Sequence, residues 1–207
     1  MYFTAGLENA PNVSNIIQKV NYRMNVLKNI TKYTNTKTSL ILYNSLIISI
    51  FTYCIQNLMN INFSQLTKLY VLLNKCAHNV LGRTSYRLNT KTILDKLNWL
   101  SFHQLLIHES LKLIHRVSYE RHPPALNQYL YHRLYRSDIS RFVSKPSVSK
   151  VSTTAKTANS FLHRTVYIYN TLPEIYRTMP KKKFSVETKQ YIKDNYALKN
   201  IPKIQNE

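Results

Sequence analysis

Nine carboxylates are the residues from which a polymerase or nuclease would have to assemble its metal site, and their spacing argues against one. Two-metal chemistry needs acidic side chains clustered around divalent cations. Here Glu8, Asp95, Glu109, Glu120, Asp138, Glu174, Glu187, Asp194 and Glu207 stand apart, with no Asp-Asp or Asp-x-Asp among them. His103, His108 and His115 fall in one expected helix at spacings of five and seven residues. That is not the i, i+4 pair of a helical metal site, so they are expected at the surface or in local hydrogen bonds. No Gly-x-Ser-x-Gly or cysteine-nucleophile signature accompanies the many serines and histidines. The two glycines of the chain exclude a Gly-rich phosphate loop. No catalytic residue, metal ligand or cofactor is assigned.

The remaining chemistry is cationic. Lys and Arg number 29 against 9 Asp and Glu, a formal charge of +20, which calls for a polyanionic partner, nucleic acid first among them. The imbalance is spread along the chain, since residues 1 to 94 carry ten Lys/Arg and a single acid, Glu8. Lys68 and Lys75 share one side of an expected helix, and Arg83, Arg87 and Lys91 follow it without an intervening acid. These five form the candidate nucleic-acid-binding set, because a rigid element can present cations to phosphates without first being ordered. The string Tyr129-Leu130-Tyr131-His132-Arg133-Leu134-Tyr135-Arg136 interleaves aromatics with cations and suits either base stacking or core packing. Lys181-Lys182-Lys183 reads as a solvated turn or a nuclear-import signal.

The elements that must position these residues are helical. Ser39 to Leu66 contains no Lys, Arg, Asp, Glu or His, and Leu40, Tyr43, Ile47, Ile50, Phe51, Cys54 and Leu58 recur at helical spacing with apolar residues on the other side too. It is expected to be the central helix, Ser39 to Asn60, enclosed on most of its circumference and capped by Thr36 or Thr38. A membrane-spanning reading is outweighed by its Asn, Gln and Ser residues. Helices at 13–30 and 65–81 should pack on it, the second capped by Ser64 and stopped by a left-handed Gly82. Asn89 caps a short helix, Ser101 and Gln104 make a capping box for the next, and Ser185 caps the last. The expected organisation is a helical domain over 1–122, a basic and partly disordered linker over 123–158, and a small helical unit over 159–207. Cys54 and Cys76 read as core residues in a reducing compartment, and the opening MYFTAGLENAP has no signal core. An intracellular location, cytoplasmic or nuclear, is expected, with no membrane partner.

Several short motifs carry a family resemblance. Leu42-Tyr43-Asn44-Ser45-Leu46-Ile47 with Thr52-Tyr53 resembles the segment after the polymerase palm in reverse transcriptases of non-LTR, LINE-type retrotransposons. Leu73-Asn74-Lys75-Cys76-Ala77 with Val80-Leu81, the Leu94 to Leu100 element, and Tyr169-Asn170-Thr171-Leu172-Pro173 resemble further pieces in the family's order, and together they span most of residues 12 to 195. The resemblance implies a mainly α, thumb-like bundle that grips template and primer, RNA or an RNA/DNA hybrid, behind an upstream polymerase palm. Cys54 stands where the family commonly has glycine, Tyr169 where it has tryptophan, and the palm with its paired aspartates is missing. Two other readings stay open: an independent nucleic-acid-binding protein, and a helical protein-interaction module whose charge serves solubility.

Overall fold

A computed structural model describes residues 10–53, 55–82, 88–131 and 161–196. They form a mainly α architecture with no strand among the described residues. Arg83, Arg87, Cys54, most of the expected linker (132–160) and the tail from 197 lie outside them. Contacts divide the chain into two units, one running to Leu106 and the other from Ile107 to Tyr196. The expected first domain ended at residue 122; the contacts draw the boundary earlier, inside a continuous helix.

In the first unit, α1 (Ala10–Ile30) buries Val13, Val20, Met24 and Leu27. The segment α2 (Thr36–Tyr43), a π-turn (Asn44–Ile48) and α3 (Ser49–Thr52) follows, then a 3-10 turn (Ile55–Asn60). Helix α4 (Phe63–Leu81) turns Leu66, Leu69, Tyr70, Leu72, Leu73, Cys76, Ala77 and Val80 inward. As expected, α1 and α4 pack against each other and on the uncharged segment. Cys76 and Met24 meet in that interface, their sulfurs 3.8 Å apart.

The uncharged segment itself departs from expectation. It is not one enclosed helix to Asn60. Tyr53 turns into extended backbone (ψ 113°), ending the helix after Thr52. Within residues 40–53 the fully buried side chains are the narrow row Tyr43, Ile47 and Phe51, while Ile41, Leu46 and Tyr53 are exposed; Ile55 and Leu58, in the 3-10 turn beyond, are buried again. The physical reason lies in its hydroxyls. Ser45 Oγ donates to Leu42 O, Ser49 Oγ to Ser45 O and Thr52 Oγ1 to Ile48 O, and such back-bonding competes with the regular ladder and bends helices. These bonds satisfy the hydroxyls of Ser45 and Ser49, two of the polar groups that argued against a membrane span. Among the described residues no helix is long and apolar enough to cross a membrane.

Caps are supplied by asparagines rather than by the expected hydroxyls. Asn35 Oδ1 accepts from Thr38 N (2.8 Å) and Asn62 Oδ1 from Gln65 N (2.9 Å), displacing Thr36, Thr38 and Ser64 from the cap role. Asn89 does cap α5 (Thr90–Lys96), accepting from Thr92 N at 2.8 Å. Gly82 has the positive φ expected of it (60°), but ψ of −141° places it outside the left-handed helical region, in a conformation that side chains disfavour. Helix α5 ends on Asn98 in the left-handed region (φ 52°), with Trp99 N donating to Leu94 O and Asn98 N to Asp95 O. This is a Schellman closure with asparagine in the glycine position.

Helix α6 (Phe102–Glu120) opens on the expected capping box, with Ser101 N donating to Gln104 Oε1 (3.1 Å) and Gln104 N to Ser101 Oγ (3.2 Å). Every residue from Ser101 to His108 is buried, so this helix holds the enclosed position expected of Ser39–Asn60. Helix α7 (Pro124–Tyr131) occupies the first part of the expected linker. The second unit adds α8 (Phe161–Thr171), the single turn α9 (Glu174–Arg177) and α10 (Lys181–Asn195). Ser185 lies inside α10, which starts after Pro180 without a side-chain cap, because the fixed φ of proline suits a helix entrance. The three lysines are therefore its first turn, where cations oppose the helix dipole, and Lys181 lies 3.6 Å from Glu120.

Candidate nucleic-acid interface

Helix α4 turns its apolar side into the first unit and leaves Lys68 and Lys75 exposed on the other. Seven residues apart, they stand almost above one another, separated by about 10 Å along the axis at ~1.5 Å per residue. Lys91 is exposed in the first turn of α5, which packs against α4. Arg83 and Arg87, between these helices in sequence, lie outside the described residues. Asp95 is the only carboxylate among the described residues up to Leu106.

Carboxylates concentrate in the second unit, where Glu109, Glu120 and Asp194 are engaged. Glu109 meets Lys112 through both oxygens at 2.9 Å and lies 3.5 Å from His108 Nδ1. Burial would raise its pKa, but the bonds from His108 and Lys112 outweigh it and hold the carboxyl below the usual range. Glu120 pairs with Arg116 (3.3 Å) and Lys181, and Asp194 accepts from Gln190 (3.0 Å). No group of three or more His, Cys, Asp and Glu among the described residues could hold a metal ion. Cys76 is no nucleophile, since burial pushes its thiol up to about 12 despite the charge of Lys28.

The three histidines of α6 are buried, not at the surface. They are enclosed because α6 is enclosed, and they have partners there. In the second unit His108 Nε2 lies 2.9 Å from Ser185 O. His115 Nε2 donates to Met179 O (2.9 Å) and its Nδ1 faces Tyr169 Oη (3.2 Å), while its ring stacks on Phe184 at 3.7 Å and an angle of 4°. Burial lowers the His115 pKa, with the Met179 bond and the charge of Glu120 pulling the other way. The Tyr-Asn-Thr-Leu-Pro motif works here as a structural corner. Tyr169 is fully buried against His115, Leu172 is buried, and Pro173 opens α9.

No family model, no curated protein and no solved structure matches the chain.

A second basic feature was missed in the sequence. Lys19, Tyr22, Arg23, Val26 and Ile30 share the solvent side of α1. Tyr22 is 72% exposed, and Tyr33, in the turn that follows, is 90% exposed. Arg23 Nη1 donates to Leu46 O in the π-turn (2.8 Å), and Trp99 Nε1 donates to Asn44 Oδ1 there (2.9 Å), so the π-turn is held from two sides. The available signal was helical phase. Val13, Val20, Met24 and Leu27 already define one side; Tyr22 and Val26 fall away from it and Ile30 at its flank.

Proposed function

We propose that this chain binds nucleic acid without catalysing its synthesis, as a segment resembling the thumb and post-thumb region of a LINE-type retrotransposon reverse transcriptase. The observation that carries the reading is the exposed cationic side of α4, extended by Lys91, in a unit whose described residues hold one carboxylate. Lys68, Lys75 and Lys91 would neutralise successive phosphates of a template–primer duplex, joined by Arg83 and Arg87. Lysines at exposed positions confer affinity with little sequence information, so binding is expected to be similar for unrelated sequences.

Titrating an RNA/DNA hybrid with the purified chain at several salt concentrations tests this. Changing Lys68, Lys75 and Lys91 together to Ala should weaken binding at every sequence and lower the salt slope by about 2 to 3, at ~0.9 per lost phosphate contact. Thermal stability should hold, because all three side chains are exposed. An unchanged slope would place the nucleic acid elsewhere. Absence of binding would favour the reading as a protein-interaction module. The isolated chain is also expected to extend no primer, since its isolated carboxylates offer no two-metal site. Chelator-sensitive extension, absent from a mock preparation, would overturn that part.

A further inference from the structure

We infer that the solvent side of α1 and the turn after it form a stacking platform for unpaired bases, so that single-stranded nucleic acid is a ligand of the first unit. The inference rests on the nucleic-acid reading above and adds a strand type and a second surface to it. Tyr22, Val26 and Ile30 follow one another at i, i+4 and i+8, Tyr22 and Val26 turned away from Val20, Met24 and Leu27 and Ile30 at their flank, and all three are exposed. Tyr33 continues the row. Its placement is defined by the turn, with Thr31 N donating to Leu27 O (2.8 Å) and Tyr33 N to Ile30 O (3.0 Å). A row of four large apolar side chains on the solvent side of one helix and its turn marks a surface that something covers.

Charge identifies the occupant. Lys19 and Arg23 flank Tyr22 and Val26 on the helix, and Lys32 sits beside Tyr33, its Nζ 3.4 Å from Asn29 Oδ1. From α1 to α4 the described residues contain no Asp or Glu, so the covering partner is anionic. Arg23 is tethered through Nη1 to Leu46 O, which fixes the guanidinium at the edge of the row while its remaining N–H groups can meet a phosphate. Exposed tyrosine rings between cations match a single strand, whose bases offer open π-faces while its phosphates run alongside. A duplex covers those faces by its own stacking, so it suits the lysines of α4 and not this row. From Tyr22 to Ile30 the row runs about 12 Å at ~1.5 Å per residue, room for a few nucleotides.

Fluorescence anisotropy of a dye-labelled 12-nucleotide single strand, set beside an abasic strand of equal length and charge, tests the platform with the full chain. The base-bearing strand should bind at least about tenfold more tightly, the low end for stacked bases. The double variant Tyr22→Ala, Tyr33→Ala should bind both strands equally with an unchanged salt slope, and Tyr22→Phe, Tyr33→Phe should restore the preference. Equal binding of the two strands by the unaltered chain would overturn the platform while leaving phosphate binding standing, and so would a preference that survives the alanine changes. Polyglutamate of equal charge displacing the strand as effectively as unlabelled oligonucleotide would assign the row to an acidic protein segment and overturn the inference. Binding of neither the strands nor the RNA/DNA hybrid would overturn both readings together.

Discussion

Ile47→Asp should leave the chain unfolded under conditions in which the unaltered protein is fully folded. Ile47 is fully buried, within the π-turn, with Tyr43 and Phe51 fully buried one turn to either side. Phe51 in turn packs edge-on against Phe102 of α6, ring centroids 5.7 Å apart. Among the described residues the one guanidinium bonded to the π-turn, that of Arg23, is exposed and engaged by the Leu46 carbonyl, so it does not offset a carboxylate at this buried position. An unpaired buried charge belongs to the class of substitutions that cost more than about 4 kcal/mol, against a total stability of about 5–15 kcal/mol for an ordinary domain. Ile47→Val, which removes one methylene, should cost only about 0.5–1.5 kcal/mol. Denaturant melts followed by circular dichroism separate the two. A melt of the Asp variant coinciding with the unaltered one would show that the row Tyr43, Ile47 and Phe51 is not the core of the first unit.

The second unit should lose stability as the medium is acidified through the histidine range, and His115 should account for that loss. Its folded pKa lies below the ordinary value near 6.5 because the ring is buried between Phe184 and Tyr119. With the folded value depressed, the unfolded chain binds the proton first. The contribution is therefore complete above about pH 6.5, falls by up to about 1.4 kcal/mol per pH unit as the pH drops below that, and stops falling below the folded pKa. Geometry agrees, since Nε2 must donate to Met179 O and the neutral Nδ1 accepts from the Tyr169 hydroxyl. His115→Phe keeps a stacking ring but removes the titration, so its stability should change less than that of the unaltered chain between pH 7.5 and 5.5. His115→Ala should cost about 3 kcal/mol or more at neutral pH, from the lost ring and the stranded Met179 carbonyl. Glu109 acts in a separate window: its carboxyl is held below the usual range, so its contribution is present above about pH 4.5 and is lost only as the pH falls below that. If His115→Phe and the unaltered chain show the same pH dependence from 7.5 to 5.5, the buried neutral imidazole is not what responds to acid.

Local chemistry by itself settled much of this molecule. The apolar phase of α1 and α4, the capping box at Ser101 and Gln104, the cap at Asn89 and the positive φ at Gly82 all follow from interactions within a few residues, and all stand in the structure. So does the exposure of Lys68, Lys75 and Lys91, because an unpaired lysine is too costly to bury and helical phase says which side remains for it. Two other caps were misplaced: Thr36 or Thr38 and Ser64 were expected, and the structure uses Asn35 and Asn62, one to three residues earlier, because an asparagine side chain there already reaches the free backbone N–H.

Only the tertiary structure decided which helix is enclosed. Hydropathy favoured Ser39 to Asn60, yet Ile41 and Leu46 face solvent while Ser101, His103, Gln104, His108 and His115 are buried. Burial depends on how many elements surround a helix, and a polar side chain can be enclosed when distant parts of the chain supply its partners, as Ser185, Tyr169 and Met179 do for His108 and His115. Those partners lie 54 to 77 residues away, beyond the reach of any periodicity. The exposed row Tyr22, Val26, Ile30 and Tyr33 was obscured for the complementary reason: apolar residues in a helix suggest a core, and although helical phase turns Tyr22 and Val26 away from the buried side, the packing of α4 and the π-turn against α1 is what leaves the row to solvent.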